Sequence, residues 1–180
     1  DAEEPPVRSP LGADDGSRFR RGRLFHRLLQ TLPDLPAAER AAAAARFLAH
    51  DDHGLTDAAQ KEIAGEVLRL FDHPDLAPLF GPGSRAEVPV AGLIGSHAVS
   101  GQIDRLAVSA DKVLVADFKS NRPAPARIAD ISPIYLKQMA YYRSALARIY
   151  PGRVIESFIV WTAEPRIMQL EVEALTALVP

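Results

Sequence analysis

Gly101-Gln102-Ile103-Asp104-Arg105, and then Val113-Leu114-Val115-Ala116-Asp117-Phe118-Lys119, decide the reading of this chain. The second stretch is an apolar run suited to a central strand, and it delivers Asp117 to the strand's end. Residues i and i+2 of a strand point to the same side, so Asp117 and Lys119 project together. Asp104 is expected at the end of a neighbouring short strand. Two carboxylates and an ammonium at one point are costly unless a cation sits between the acids. A divalent metal is the usual answer. Magnesium takes oxygen ligands, which two aspartates and the backbone carbonyl of Phe118 can supply. A metal also lowers the pKa of water enough to make a nucleophile near neutral pH, and Lys119 could stabilise the charge that builds on a phosphate.

An isolated Asp-x-Lys is ordinarily a strand-end ion pair, and Asp104-Arg105 could be another on the surface. Here several features coincide. The apolar run precedes Asp117, and Gly101 stands before Asp104 where a small residue allows another backbone to come close.

Outward from this centre, three strands are expected at Arg85 to Leu93, His97 to Ser109 and Lys112 to Lys119, with Ala110-Asp111 as a tight turn. Upstream, a helix runs from Ser17 to about Thr31, with Leu24, Leu28 and Leu32 four apart beside Phe25 and Leu29. Ala37 to His50 is helical by propensity, and the Ala41–Ala45 run reads as a tightly packed helix face. A third helix starts at Thr56 or Asp57 and reaches Phe71, with Ile63, Val67 and Leu70 on one stripe. Pro74 to Gly83 is a short helical turn and loop. Downstream come a loop from Asn121, a long helix from about Ser132 to Tyr150, strands at Arg153 to Trp161 and Arg166 to Leu170, and a last helical turn. The sum is an α/β domain with a mixed sheet. Residues 1–16, acidic and rich in Pro and Gly, read as a linker or disordered leader, and 17–180 as one domain.

Composition sets limits. The chain has 180 residues, 47% of them hydrophobic, which is enough for a core of its own. Net charge is −2, so a bulk basic field for nucleic acid is absent and any such contact must be local or supplied by a partner. There are no cysteines, which excludes disulfides, thiolate zinc and an iron–sulfur cluster on this segment. That, with no apolar run near membrane-spanning length and no signal peptide, fits a cytoplasmic protein. The first residue is Asp rather than Met, so a piece of something longer is expected. Only Lys61, Lys112, Lys119 and Lys137 among the 21 basic residues are lysines, a sign of a GC-rich genome.

Other residues have two readings each. A lone histidine on a helix is more often packed or solvated than a ligand, and His50, His53, His73 and His97 take that reading. His26 is different, because Gly22 lies one turn before it and would let a phosphate or a backbone approach. Arg18, Arg20, Arg21, Arg23 and Arg27 lack interleaved acids. They form either a DNA-facing patch or a solvated face. Gln138 and Tyr142 stand four apart and share a helix face, although Tyr142 could simply pack on the sheet. Glu87, on the strand before Asp104, is either a further acid near the metal or an ordinary exposed strand residue, and the second is favoured. Trp161 suits core packing.

Taken together, Gly22-x-x-x-His26, Gly101-x-Ile103-Asp104-Arg105, Asp117-Phe118-Lys119-Ser120 and Gln138-x-x-x-Tyr142 resemble, in order, the motifs of the RecB-family nuclease domain within the PD-(D/E)xK superfamily. More narrowly, Arg21 to Pro36, Asp117 to Arg122 and Tyr135 to Arg143 are similar to the C-terminal nuclease domain of the AddA family of bacterial helicase–nucleases, of alphaproteobacterial type. The resemblance implies a restriction-endonuclease-like core, with a mixed central sheet flanked by helices and with N-terminal helices. It implies Mg2+, or Mn2+, bound by His26, Asp104, Asp117 and the Phe118 carbonyl. Lys119 would be catalytic beside Asp104 and Asp117. Gln138, Tyr142, Arg23 and Arg122 would support the site or bind DNA. It further implies hydrolysis of a DNA single strand produced by unwinding, in double-strand-break repair. The ATP-driven helicase region of the same full-length chain and an AddB-like partner subunit would be its partners. Phe118 departs from the family's usual Tyr, but only its backbone is needed for metal. No Gly-x-x-x-x-Gly-Lys-Ser/Thr loop is present, so no ATP site of that kind lies in this segment. A non-catalytic DNA-binding or scaffolding module with a relic site is the alternative.

Overall fold

The computed structural model describes residues 17–81, 83–94, 97–119, 121, 123–162 and 166–179. The leader expected over 1–16 and Arg122 lie outside the described residues.

Three helices come first: α1 (Ser17–Thr31), α2 (Ala37–Leu48) and α3 (Asp57–Phe71). Thr56 caps α3 by accepting from the Ala59 amide through its hydroxyl at 3.3 Å. In α2 only Ala44 of the run Ala41–Ala45 is buried, and Ala41, Ala42 and Ala45 face solvent. The alanine run is therefore mostly a surface, not the packed face that its composition suggests. A 3-10 turn at Ala77–Phe80 leads into the sheet.

The sheet has five strands in sequence order: β1 (Arg85–Ile94), β2 (His97–Val108), β3 (Lys112–Lys119), β4 (Val154–Trp161) and β5 (Arg166–Leu170). All neighbours are antiparallel except β3 and β4, which run parallel. A parallel pair needs a crossover, and α4 (Pro133–Ile149) provides it. A short α5 (Val172–Thr176) closes the described chain.

Two cores lie on opposite faces of the sheet. Leu114, Ala116 and Phe118 of β3 pack with α1, α2 and α3. Val113 and Val115 pack with Met139, Tyr142 and Leu146 of α4. Strand β3 is thus covered on both faces, which is why it reads as an unbroken apolar run. Burying each of these valines contributes about 1.5–3 kcal/mol, enough to hold the end of β3 rigidly where Asp117 and Lys119 emerge. Asp104 lies well inside β2, four residues from its end, and not at the end of a short strand as its sequence suggests.

Candidate metal centre

Asp104 sits where two strand ladders lapse. Strands β1 and β2 pair from Arg85↔Leu106 through to Ile94↔His97, with a single gap between Ala86↔Arg105 and Val88↔Ile103. The residues facing each other in that gap are Glu87 and Asp104. On the other side, β2 and β3 pair only as far as Arg105↔Ala116. Asp104 and Asp117 are the next residues beyond that last pair. Glu87, Asp104 and Asp117 thus form a row of acids across three strands, in which Glu87 and Asp104 face each other and Asp117 stands just past the last β2–β3 pair. Like charges directly opposite each other on a sheet repel; Glu87 and Asp104 do so here, and the Asp104 charge also acts on Asp117.

The backbone records the conflict. Glu87 has φ +52°, and it is the non-glycine residue with positive φ among those described. A left-handed non-glycine residue is costly and persists only where its surroundings hold it. Strand β2 is irregular at the same point. Ile103 packs with the α4 core. Arg105, two residues on, turns to the opposite face and donates to Leu79 O at 2.8 Å beside the Phe80 ring. The alternation that keeps i and i+2 on one side breaks at Asp104.

The freed groups are used locally. The Phe118 amide, left without a β2 partner, donates to Asp104 Oδ2 at 2.6 Å. A strand residue's N–H and C=O point to the same edge, so the Phe118 carbonyl opens toward Asp104 too. His26, on α1, presents Nε2 3.3 Å from Asp104 Oδ1, and its ring meets that of Phe118 edge-on at 5.7 Å. The hydrogen bond to Asp104 holds the His26 pKa above the usual histidine value, against the opposing effect of burial. One ligand atom each from His26, Glu87 and Asp104 lie within 4.8 Å of one another.

Asp117 is 2% exposed. Burial pushes its carboxyl up to about 6, Lys119 opposes the shift, and Asp104 adds to it. Its Oδ2 is buried with no hydrogen-bond partner and has Lys119 Nζ 2.5 Å away as a charge contact. Lys119 is held on two further sides: it donates to Gln138 Oε1 at 3.0 Å and lies 4.4 Å from the centre of the Tyr135 ring. Gln138 in turn donates to Tyr142 Oη at 2.9 Å, and that hydroxyl donates to Gln102 O at 2.9 Å. The chain ends against Gly101, where an added Cβ would stand 2.7 Å from Tyr142 Oη. Glycine is needed there to admit a tyrosine ring, not a backbone.

A cleft beside His26 is lined by Gly22, Arg23, Arg27, Phe118 and Thr162. Arg23 is exposed at its mouth. Arg21 turns away, to Glu66, Glu62 and Thr162 O, so it belongs to the packing of α1 on α3.

The donor set fits a hard divalent cation. Glu87 and Asp104 face each other, and Asp117 beside them is buried with an unbonded oxygen; among the described residues Lys119 is the ammonium held against this charge. Oxygen ligands with a single imidazole suit Mg2+ or Mn2+. Of the candidates from sequence, His26, Asp104, Asp117, Phe118, Lys119, Gln138 and Tyr142 form one connected cluster, and Arg23 lines the adjoining cleft. Glu87 is not the ordinary strand residue that the sequence favoured, since it faces Asp104. The missed signal is its register in the β1–β2 ladder, which sets it across from Asp104. Gln30 and Tyr135 gave no sequence signal as single residues.

A mixed sheet carrying acids and a lysine on its central strands, flanked by helices on both faces, is a restriction-endonuclease-like architecture. A family model for the PD-(D/E)XK nuclease superfamily matches residues 7–175, and the chain belongs to that superfamily. No curated protein matches it. Among solved structures it is similar to protein VC1899 from Vibrio cholerae, at 14% identity and a TM-score of 0.30, over 85% of this chain and 49% of that one. The chain thus spans about half the length of that protein. No helix among the described residues is long and apolar enough to cross a membrane.

Proposed function

We propose that this chain hydrolyses DNA phosphodiesters, as the nuclease domain of an AddA-type helicase–nuclease. The observation that carries the reading is the row Glu87, Asp104, Asp117 with Lys119 fixed beside it. His26, Asp104, Asp117 and the Phe118 carbonyl, joined by Glu87, would hold the cation. A divalent ion at this place supplies Lewis-acid charge to the phosphate and to the attacking water.

The protein's own groups do the rest. Lys119 keeps its ammonium at a fixed place between Asp117 and Gln138, where it stabilises charge that develops on the phosphate oxygens. Gln138 and Tyr142 hold that ammonium still. Arg23, exposed at the mouth of the cleft, meets the phosphate of a neighbouring nucleotide. Water adds to phosphorus, the ester P–O bond breaks, and a terminal phosphate and a hydroxyl result.

The repair setting rests on the ordered motifs His26, Asp104, Asp117-Phe118-Lys119 and Gln138-x-x-x-Tyr142. The strand would be delivered by a helicase region of the same full-length chain, with an AddB-like subunit as partner, in the bacterial cytoplasm. The test is cleavage of labelled single-stranded DNA in Mg2+, Mn2+ or EDTA, beside Asp117→Ala. Metal-dependent cutting lost in the variant supports the reading. Cutting that survives in Asp117→Ala refutes it, and DNA binding without any cutting by the wild type favours a relic site.

A further inference from the structure

Gln30 stands one turn after His26 on α1, and its amide faces the carboxylate row. Its Nε2 is 3.1 Å from His26 Nδ1 and also donates to Glu87 Oε1. The other ring nitrogen of His26 is the one 3.3 Å from Asp104. A single neutral side chain therefore touches two members of the cluster at once. Its own place is fixed from behind: the Gln30 carbonyl accepts from Arg105 at 3.4 Å, and that guanidinium, 1% exposed, is anchored on Leu79 O and on Ser84 Oγ at 2.6 Å.

We propose that Gln30 is a positioning residue of the metal centre: it sets which nitrogen of His26 and which oxygen of Glu87 are offered to a divalent cation. The inference rests on the metal-dependent reading above. An imidazole nitrogen can be a ligand only if it carries no proton, and the bond made by the other nitrogen decides which one does. With the amide nitrogen 3.1 Å from Nδ1, the neutral ring that matches it accepts at Nδ1 and carries its proton on Nε2, facing Asp104. Offering the Nε2 lone pair requires the proton on Nδ1, with an acceptor beside it. A half-turn of the Gln30 amide brings its oxygen to that place. The same half-turn replaces the N–H at Glu87 Oε1 with an oxygen, so the carboxylate loses its donor and swings away from Gln30. One half-turn of the amide thus changes both contacts together. A primary amide serves both states, whereas a thioether or an alkyl chain of the same size serves neither.

The test uses the 180-residue chain at pH 8, with Mg2+ binding followed by calorimetry and the His26 ring nitrogens by 15N NMR. The wild type should carry its ring proton on Nε2 without metal and on Nδ1 with Mg2+. Gln30→Met should bind Mg2+ about 10–100-fold more weakly and lose the metal-free preference for the Nε2–H form. Gln30→Glu, whose carboxylate only accepts, should hold the Nδ1–H form even without metal, and it serves if the Met variant does not fold. Wild-type Mg2+ affinity in Gln30→Met, or an unchanged ring tautomer in Gln30→Glu, overturns the inference while leaving the metal centre standing. A wild type that binds no Mg2+ overturns both.

Discussion

Glu87 and Asp104 face each other on β1 and β2 at the gap in that ladder, with Glu87 held at φ +52°. Their opposition links sequence to function. The hairpin register that builds the sheet is also what brings two acids together, and the local backbone departs from strand geometry where they meet. Strain of this kind costs on the order of 1–3 kcal/mol.

Glu87→Gly removes both the strain and one carboxylate. The metal-free variant should be more stable than the wild type by about 1 kcal/mol, which is roughly 2–4 °C in melting temperature for a domain of this size. Its Mg2+ affinity should fall. Thermal melts with and without Mg2+ measure both, and a variant that melts lower in both conditions contradicts the assignment.

Asp117 links the site to pH. Its carboxyl is pushed up to about 6 from an ordinary 3.8 by burial. A raised folded pKa means that the folded state holds the proton more tightly than the unfolded one. The stability tied to this group is fully present below about pH 4 and is lost as pH rises through about 6. The metal-free wild type should therefore lose more stability between pH 4 and pH 8 than Asp117→Asn, by on the order of 1–3 kcal/mol. Urea titrations of the two proteins across that range check it. Parallel pH profiles would show that Asp117 is not strained by burial.

Tyr142→Phe deletes the hydroxyl that ties Gln138 to Gln102 O. The stability change should be about 1 kcal/mol, as for one net hydrogen bond. Cleavage should slow by up to roughly tenfold, because Gln138 then orients Lys119 less firmly, while KM stays near the wild-type value. Gly101→Ala should do more harm, since its Cβ meets the tyrosine ring itself. Single-turnover cleavage separates the two effects.

Arg105→Met should be among the most destabilising changes in the protein, at about 3 kcal/mol or more. It unbinds the buried Leu79 O and the half-buried Gln30 O and Ser84 Oγ, and leaves a large apolar side chain in the guanidinium's place. Denaturant unfolding measures this directly.

Strands β1 to β5 and helices α1 to α4 follow from hydrophobic period and turn residues, nearly to their ends. The apolar run Val113 to Ala116 and the repeat of Ile63, Val67 and Leu70 each have one reading. The Asp117–Lys119 contact follows from strand geometry alone. What sequence left open is what depends on tertiary register. Glu87 matters only because residue 104 faces it, and period-two patterning along β1 carries no mark of that. Gln30 and Tyr135 act through their neighbours on other elements, and a Gln or Tyr on a helix has no local signature. The alanine run in α2 misleads because helix propensity and burial both favour alanine, and only packing separates them.

The central claim is that the row Glu87, Asp104 and Asp117 is a divalent cation site. Calorimetric titration of Mg2+ and Mn2+ into the wild type and into Asp104→Asn tests it most directly. Saturable binding by the wild type, weakened at least tenfold in the variant, is the expected result. No binding at millimolar metal, or equal binding by both proteins, would contradict it.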